Sequence, residues 1–412
     1  MKQIEKNRLM ENRLSLRLRG LIINLHQSTS IYINLYRPLF KNPTHIIWII
    51  VCTLLSFQHV NGQTNSDWTI FRGDPSLSGT SNAKIKLPLE LKWTYQTDDA
   101  IVGSPVIGNN TIYVSSIGGF VYALDLDGNL KWKFETDNSI EASPLYVNGK
   151  IYLGNLTGNL YALDANTGKL IWTYEAENQI MGSANYFYRD KKLYIVVGSY
   201  DYYLHCVEGE TGKGVWKYES DNFVNGAAAI ENGIAMFGGC DGFLHMVNLE
   251  NGKSNYRLEV ATYIAGSVTV SDNLAFTGDY DGLFSCIDLD KKEIKWQYDN
   301  PSSSLPFLAS PAVSGDFVVI GSQDKRMRCF NKNTGELMWS FNAGGRIDAS
   351  PVIGKNIVIA STMDGMLYLL NLNNGKELWS YEIGSAITHN PALINGRIIV
   401  GARDGNIYFF EK

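Results

Sequence analysis

The stretch GNLYALDANTGKLIWTYE, residues 158–175, returns in altered form along the chain. Residues 119–135 read GFVYALDLDGNLKWKFE, and residues 365–382 read GMLYLLNLNNGKELWSYE. Each copy has a short, mainly apolar run, then a turn that contains glycine, then a second run that carries a tryptophan. That pattern is typical of two antiparallel strands joined by a tight turn. The sequence therefore predicts a fold built from repeated β-hairpins.

The aromatic position recurs eight times, at spacings of 39 to 44 residues. A period near 40 residues with several short strands per unit is typical of a β-propeller blade. The aligned residues are Trp93, Trp132, Trp172, Trp216, Tyr256, Trp296, Trp339 and Trp379. We predict that these rings are structural and that each packs into the gap between adjacent blades, over a small third-strand residue and a turn glycine.

The two ends of the repeat region predict how the ring closes. The last unit, residues 389–412, stops after its third strand, and the missing fourth strand is LELKWTYQ at residues 89–96. Pairing of these two segments in one blade removes the open edge of the ring. The prediction is an all-β, eight-bladed propeller of four-stranded blades over residues 89–412, with residues 63–88 as a leading segment.

The first 62 residues differ in character from the rest. Residues 1–45 carry eight Lys/Arg against two Asp/Glu, and residues 46–57, IIWIIVCTLLSF, are an apolar run too short to span a bilayer comfortably. Small residues before Gln63 fit cleavage after Gly62. We predict a signal peptide at residues 46–62 and an exported protein, periplasmic, extracellular or membrane-associated. An uncleaved anchor is the alternative, and residues 1–45 are either an over-extended start or an N-terminal tail.

The remaining chain is acidic. Residues 63–412 carry 28 Lys/Arg and 39 Asp/Glu, a net charge of −11, with no basic stripe. Because binding to nucleic acid phosphates needs clustered Lys and Arg, we predict no nucleic-acid partner. We expect the propeller to be monomeric.

The pattern Ala162-x-Asp164-x-x-Thr167-Gly168-Lys169-x-x-Trp172 resembles the tryptophan-docking motif of pyrroloquinoline-quinone (PQQ) repeat propellers. Residues 68–80, WTIFRGDPSLSGT, resemble the segment that often opens such domains. This family contains quinoprotein dehydrogenases and also non-enzymatic propellers such as BamB, a scaffold of outer-membrane protein assembly. The resemblance to the second group implies an interaction scaffold in the cell envelope, with outer-membrane assembly components among its protein partners.

The dehydrogenase branch fits this sequence less well. Those relatives need long blade insertions that supply a carboxylate base and calcium ligands, and their cofactor stacks on a disulfide between adjacent cysteines. Here the blades span only 39 to 44 residues and no two cysteines are adjacent. We expect no catalytic residue, no metal and no cofactor. A PQQ-dependent dehydrogenase and a ligand-sensing propeller that uses the central funnel remain as alternatives.

We predict that the first strands of the blades line the central channel and that the residues of the funnel entrance lie in them. This entrance is the least uniform part of the repeat. Its candidate ligand-binding residues are Glu141, Asn225, Arg346, Asp348 and His389. A varied ring on a uniform scaffold is where a propeller places recognition, and a water-filled funnel is the alternative. His205 and His245 occupy equivalent positions in adjacent blades, but no third metal ligand accompanies them, so no metal site is predicted.

A partner surface is predicted in the third blade, where residues 185–205 read NYFYRDKKLYIVVGSYDYYLH. The candidate residues are Tyr200, Tyr202 and Tyr203. Exposed tyrosines bury much area at an interface for little loss of conformational entropy. The alternative is that several of these rings belong to the core.

Overall fold

The computed structural model describes residues 67–260, 262–300 and 303–412. These residues form 32 β-strands in eight four-stranded antiparallel sheets, and no helix occurs among them. The prediction of an all-β, eight-bladed propeller is confirmed. In the same part of the chain, no helix is long and apolar enough to cross a membrane. The predictions for residues 1–45 and for the signal peptide at 46–62 lie outside the described residues.

Each blade runs from a short inner strand next to the central axis to an outer strand. Blade 1 consists of β2 (Val106–Gly108), β3 (Thr111–Ser115), β4 (Phe120–Asp125) and β5 (Leu130–Glu135), and blade 2 of β6 (Leu145–Val147), β7 (Lys150–Gly154), β8 (Asn159–Asp164) and β9 (Leu170–Glu175). Blade 3 consists of β10 (Asn185–Arg189), β11 (Lys192–Gly198), β12 (Tyr203–Glu208) and β13 (Gly214–Glu219), and blade 4 of β14 (Ala229–Glu231), β15 (Ile234–Gly238), β16 (Phe243–Asn248) and β17 (Ser254–Glu259). Blade 5 consists of β18 (Thr269–Ser271), β19 (Leu274–Gly278), β20 (Leu283–Asp288) and β21 (Glu293–Asp299), and blade 6 of β22 (Ala312–Ser314), β23 (Phe317–Gly321), β24 (Arg326–Asn331) and β25 (Leu337–Asn342). Blade 7 consists of β26 (Val352–Gly354), β27 (Ile357–Ser361), β28 (Met366–Asn371) and β29 (Glu377–Glu382), and blade 8 of β30 (Ala392–Ile394), β31 (Arg397–Gly401), β32 (Asn406–Glu411) and β1 (Glu90–Gln96).

Burial explains the composition of the strands. The second strands are apolar without alternation, and in β3 (TIYVS) and β27 (IVIAS) every residue is buried. Neighbouring blades cover both faces of these strands, which favours such continuous apolar runs. The outer strands alternate instead between exposed and half-buried residues, as in β9 (LIWTYE). One face of each outer strand therefore contacts water and the other contacts the next blade.

The aligned tryptophans join one blade to the next. Trp132 of blade 1 donates a hydrogen bond from Nε1 to the carbonyl oxygen of Ala165 in blade 2, at 2.9 Å, and its ring lies on Gly168. Gly168 has a φ of +71°, which glycine adopts without steric penalty. The same indole-to-carbonyl bond to the following blade is made by Trp93, Trp132, Trp172, Trp216, Trp296 and Trp339.

Two of the eight aromatic positions are arranged differently. Tyr256 has no indole, and Lys292 takes the place of the turn glycine, with a φ of +59° and its Nζ 4.8 Å from the centre of the tyrosine ring. Trp379 faces blade 8, whose third and fourth strands, β32 and β1, come from the two ends of the repeat region and are not joined by a turn. The ring of Trp379 packs edge-on against Phe410, with 5.8 Å between ring centres.

Blade 8 takes its outer strand from the start of the propeller, as the sequence predicted. Strand β1 pairs antiparallel with β32, from Glu90 opposite Glu411 to Gln96 opposite Asn406. Trp93 stacks on the neighbouring Phe409, with 4.9 Å between ring centres. The two ends of the repeat region therefore share one sheet, and the ring has no open edge there.

The leading segment makes contacts that the sequence did not predict. We call residues 68–81 the strap. Strap carbonyl groups accept hydrogen bonds from the central backbone amide of the inner strand in six blades, and the side chain of Asn185 donates to Pro75 from a seventh. The six amides belong to Ile107, Tyr146, Ile230, Val270, Val313 and Ile353. The strap therefore fills one end of the central channel and ties most of the blades together.

Arg72 fixes the strap in place. Its side chain is fully buried, with Nη1 donating to the carbonyl oxygen of Pro351 at 2.5 Å and Nη2 donating to that of Pro311. Burial lowers the pKa of Arg72 to about 9, and the nearby Asp74 carboxylate acts in the opposite direction. A Cβ on Gly79 would lie 2.1 Å from the guanidinium, so the buried arginine requires glycine at that position. Arg72 and Gly79, from the RG and SG pairs of the WTIFRGDPSLSGT segment, are therefore structural residues that pack against each other.

Candidate functional site: a polar cup and an aromatic rim

The central channel is open at the end away from the strap, where it forms a cavity of about 210 Å³. We call this cavity the cup. Its walls come from seven of the eight links that join an outer strand to the next inner strand, and Phe71 of the strap contributes to its base. The sequence placed these wall residues in the first strands. Instead, the inner strands begin several residues later, at Leu145 in blade 2, and the wall residues lie in the preceding loops.

Four of the five predicted funnel residues line the cup: Glu141, Asn225, Asp348 and His389. Arg346 lies at its margin, with 52% of its side chain exposed and Nη2 3.5 Å from Oδ2 of Asp348. Sequence reasoning missed Phe71, because the strap had not been recognised. The aromatic residues of WTIFRG were the available signal.

The two acidic groups of the cup have different surroundings. Asp348 accepts a hydrogen bond from Nε2 of Gln323 at 3.1 Å and lies beside the exposed guanidinium of Arg346. Glu141 is half-buried and forms no ion pair with any described residue. Exposed and widely spaced ion pairs are weak, so the Arg346 contact leaves Asp348 largely available to a ligand.

His389 adds a neutral group to the cup. Burial among the surrounding atoms lowers its pKa to about 4, and the positive charge of Arg403 acts in the same direction. At neutral pH the imidazole is therefore uncharged, with one nitrogen that accepts a hydrogen bond. Its Nδ1 lies 3.3 Å from the hydroxyl oxygen of Thr388.

Below the wall residues, a series of serines links neighbouring blades. The backbone amide of Ser104 donates to the hydroxyl of Ser143 at 2.8 Å, and the amide of Ser143 donates to that of Ser183 at 3.0 Å. The series resumes from Ala227 to Ser267, Ser310 and Ser350, with distances of 2.9 to 3.0 Å. These bonds hold the links rigidly, which fixes the positions of the wall side chains.

The predicted partner residues divide into two groups. Tyr200 and Tyr202 both stack on Phe223, with ring centres 4.4 and 5.2 Å apart, and Tyr202 is 44% exposed. The hydroxyl of Tyr200 donates to Asn225 at 2.9 Å, so this cluster adjoins the cup. Tyr203 lies in strand β12 instead, where the Nζ of Lys217 is 5.4 Å from its ring centre. We call Tyr200, Tyr202 and Phe223 the aromatic rim.

The two equivalent histidines lie between blades in matching networks. His205 contacts the hydroxyl of Tyr174 through Nδ1 and Asp201 through Nε2, both at 3.0 Å. His245 contacts Tyr218 and Asp241 in the same way, at 3.0 and 2.9 Å. Both imidazoles are fully buried, and both nitrogens of each ring are engaged. No group of three or more His, Cys, Asp or Glu in the described part of the chain is placed to hold a metal ion.

The cup residues do not fit the quinone arrangement that the family resemblance implies. Cys206, Cys286 and Cys329 are buried free thiols in third strands, and Cys240 lies in a turn. None of these four lines the cup. A stacking disulfide and a set of calcium ligands are therefore not available from the described residues around the cup. The expectation that the protein binds no PQQ stays a prediction.

Solved structures similar to this one include proteins of very different kinds. BamB from Moraxella catarrhalis matches with a TM-score of 0.67 at 21% identity, covering 79% of this chain and 98% of that one. A computationally designed protein, Ika8, matches with a TM-score of 0.68 at 18% identity, covering 77% and 98%. Quinohemoprotein alcohol dehydrogenase from Comamonas testosteroni matches with a TM-score of 0.71 at 15% identity, covering 86% and 82%. At these identities the likeness shows the fold alone.

Sequence comparison identifies the family. No curated protein matches the chain. A family model described as the lambda-carrageenase beta-propeller domain matches residues 147–263. A second model, described as outer membrane protein assembly factor BamB, matches residues 90–187 and 241–412, well over half of the chain. The protein therefore belongs to the BamB family of PQQ-like β-propellers.

Proposed function

We propose that the protein is an exported, non-catalytic interaction scaffold of the cell envelope and that it acts in outer-membrane protein assembly. The observation that carries this proposal is the match of residues 90–187 and 241–412 to the family of the assembly factor BamB. The structural likeness to BamB, which extends over 98% of that chain, is consistent with it.

The aromatic rim is the part of the surface best suited to a protein partner. Phe223 supports Tyr200 and Tyr202 from beneath, so the exposed ring of Tyr202 is already held in one orientation before binding. Rigid aromatic residues of this kind give large contact area with little loss of side-chain entropy. Tyr280, in the second-to-third turn of blade 5, lies on the same face and is 53% exposed, so this face carries a further exposed aromatic ring.

The alternative of a PQQ-dependent dehydrogenase rests on the repeat motif and on fold likeness. A saturable titration of the protein with PQQ in the presence of Ca²⁺ would support that alternative. A flat titration is expected, because the cup offers neither a stacking disulfide nor a calcium ligand set.

The scaffold proposal is tested by cross-linked affinity purification of the tagged protein from its native envelope, with mass spectrometry of the captured proteins. We expect barrel-assembly components with the wild type and a severalfold loss with Tyr202→Ala. Tyr188→Ala is the matched control, because Tyr188 is 50% exposed but lies in strand β10, away from the rim. Its OH donates to Asn148, near the opposite face.

The outcomes separate the parts of the proposal. A clean preparation without envelope proteins would refute the scaffold role. Equal capture by the wild type and Tyr202→Ala would refute the rim as the docking surface. The same preparation tests export, because we expect mass spectrometry to find a mature chain that begins at Gln63.

A further inference from the structure

We propose that the cup binds a compact organic ammonium ion, with the charged nitrogen on the side of Glu141 and Asp348 and a short alkyl part on the opposite wall. This inference does not depend on the scaffold role, because it concerns a cavity at the centre of the propeller and not the rim.

The cup has an acidic side. Glu141 belongs to blade 2 and Asp348 to blade 7, and only blades 8 and 1 separate them around the ring. Thr388 and His389 of blade 8 line the wall between the two carboxylates. Arg346 lies at the margin of the cup with about half of its side chain in solvent, and the charge of Arg403 reaches His389. Neither arginine lines the cup, so the two carboxylates are the charged side chains that face the cavity.

The carboxylates of the cup and the imidazole between them can accept hydrogen bonds. When ionised, each carboxylate accepts hydrogen bonds and donates none. The uncharged imidazole of His389 offers one acceptor nitrogen. A primary ammonium group carries three N–H donors and one positive charge, so it complements this set. A carboxylate ligand would instead face two like charges in a partly enclosed site.

The other side of the cup is less polar. Met181, Ala265 and Leu308 line it together with Asn225, whose Oδ1 accepts a hydrogen bond from Tyr200, and Phe71 lies at the base. An aromatic ring attracts a cation placed over its face, and the aliphatic side chains favour an alkyl group. A volume of about 210 Å³ is small for a ligand site, which restricts the ligand to a few non-hydrogen atoms.

The charge of the whole face directs cations toward the cup. On the face where the cup opens, the described links and second-to-third turns carry fourteen Asp/Glu and three Lys/Arg. The turns of the opposite face carry eight Asp/Glu and nine Lys/Arg. A depression surrounded by charges of one sign concentrates ligands of the other sign.

Three probes of nearly equal size test the inference: n-butylammonium, 1-butanol and butyrate. Each is titrated by calorimetry into the purified full chain, and saturation-transfer NMR covers the weak range. We expect saturable binding of butylammonium at least about tenfold tighter than that of butanol, and no binding of butyrate. Glu141→Gln and Asp348→Asn should each weaken butylammonium binding about tenfold, because each removes one charge-assisted interaction.

Glu177→Gln is the matched control. Glu177 belongs to a link on the same face, but its side chain is 83% exposed and does not line the cup. Its affinity should equal that of the wild type, and thermal melting should show that all three variants fold. The inference is overturned by equal binding of butanol and butylammonium, by a preference for butyrate, by unchanged affinity in Glu141→Gln, or by the absence of saturable binding of the ammonium.

Discussion

Gly168 and Gly149 form a natural pair for measuring what the docked tryptophans contribute to stability. Both lie in turns of blade 2, and their φ angles are +71° and +72°. A Cβ on Gly168 would lie 2.6 Å from Cε3 of Trp132, whereas a Cβ on Gly149 would have no atom within 4 Å. Gly168→Ala and Gly149→Ala therefore impose the same backbone strain, but only the first displaces a ring.

The magnitudes follow from these contacts. Alanine in the left-handed region destabilises either variant by about 1–2 kcal/mol. In Gly168→Ala the ring of Trp132, which is 9% exposed, must also move away from its seat. Full loss of such burial is worth roughly 1.5–3 kcal/mol, and loss of the bond to Ala165 about 1 kcal/mol more. Because the displacement is partial, we expect Gly168→Ala to be about 2 kcal/mol less stable than Gly149→Ala.

Urea unfolding followed by circular dichroism measures the difference, with the midpoints compared at a common slope. A second comparison in the Trp132→Ala background isolates the contact. There, Gly168→Ala should destabilise no more than Gly149→Ala does, because no ring remains to be displaced. Equal midpoints for the two glycine variants in the wild-type background would refute the idea that tryptophan docking stabilises the interface between blades.

Three further predictions concern single positions. Asp279 is 1% exposed, and its Oδ2 has no hydrogen-bond partner among the described residues. Asn155, at the equivalent turn position of blade 2, donates a hydrogen bond from its side-chain amide. Burial raises the pKa of the Asp279 carboxyl group. Asp279→Asn should therefore raise the free energy of unfolding at pH 7 by about 1 kcal/mol. This gain should shrink as the pH falls, because protonation of the carboxyl group stabilises the wild type. A gain that does not depend on pH would contradict this explanation. Ala227→Ser places a hydroxyl where the serine series is interrupted after Ser183. In urea unfolding, this variant should be more stable than the wild type by about 0.5–1.5 kcal/mol. A loss of stability would show that the site does not accommodate the hydroxyl. Arg72→Met removes two buried hydrogen bonds to blades 6 and 7 and should lower the unfolding midpoint by the equivalent of about 2–4 kcal/mol, so an unchanged midpoint would refute the anchoring role of the strap.

The candidate site was only partly accessible from the sequence. Glu141, Asn225, Asp348 and His389 were found because they break the repeat, since a uniform scaffold makes irregular positions visible. Their placement in links, and not in strands, was missed, because a three-residue inner strand carries too little pattern to locate its start. The lowered pKa of His389 also had no signal in the sequence, because it arises from burial in the folded ring and from the nearby charge of Arg403.

The sequence by itself determined the number of blades, the order of strands and the way the ring closes. Each of these follows from a local pattern of apolar runs, turn glycines and a tryptophan that recurs about every 40 residues, with one strand moved from the end to the start. Only the tertiary structure decided that residues 68–81 cross the propeller, that Arg72 is buried between blades 6 and 7, and that the channel is a cup closed at one end. Those features depend on residues such as Arg72 and Pro311, which are 239 positions apart and share no local pattern. They form because closing the ring exposes one backbone amide in each of several inner strands toward the axis, and the strap supplies the carbonyl groups that satisfy them.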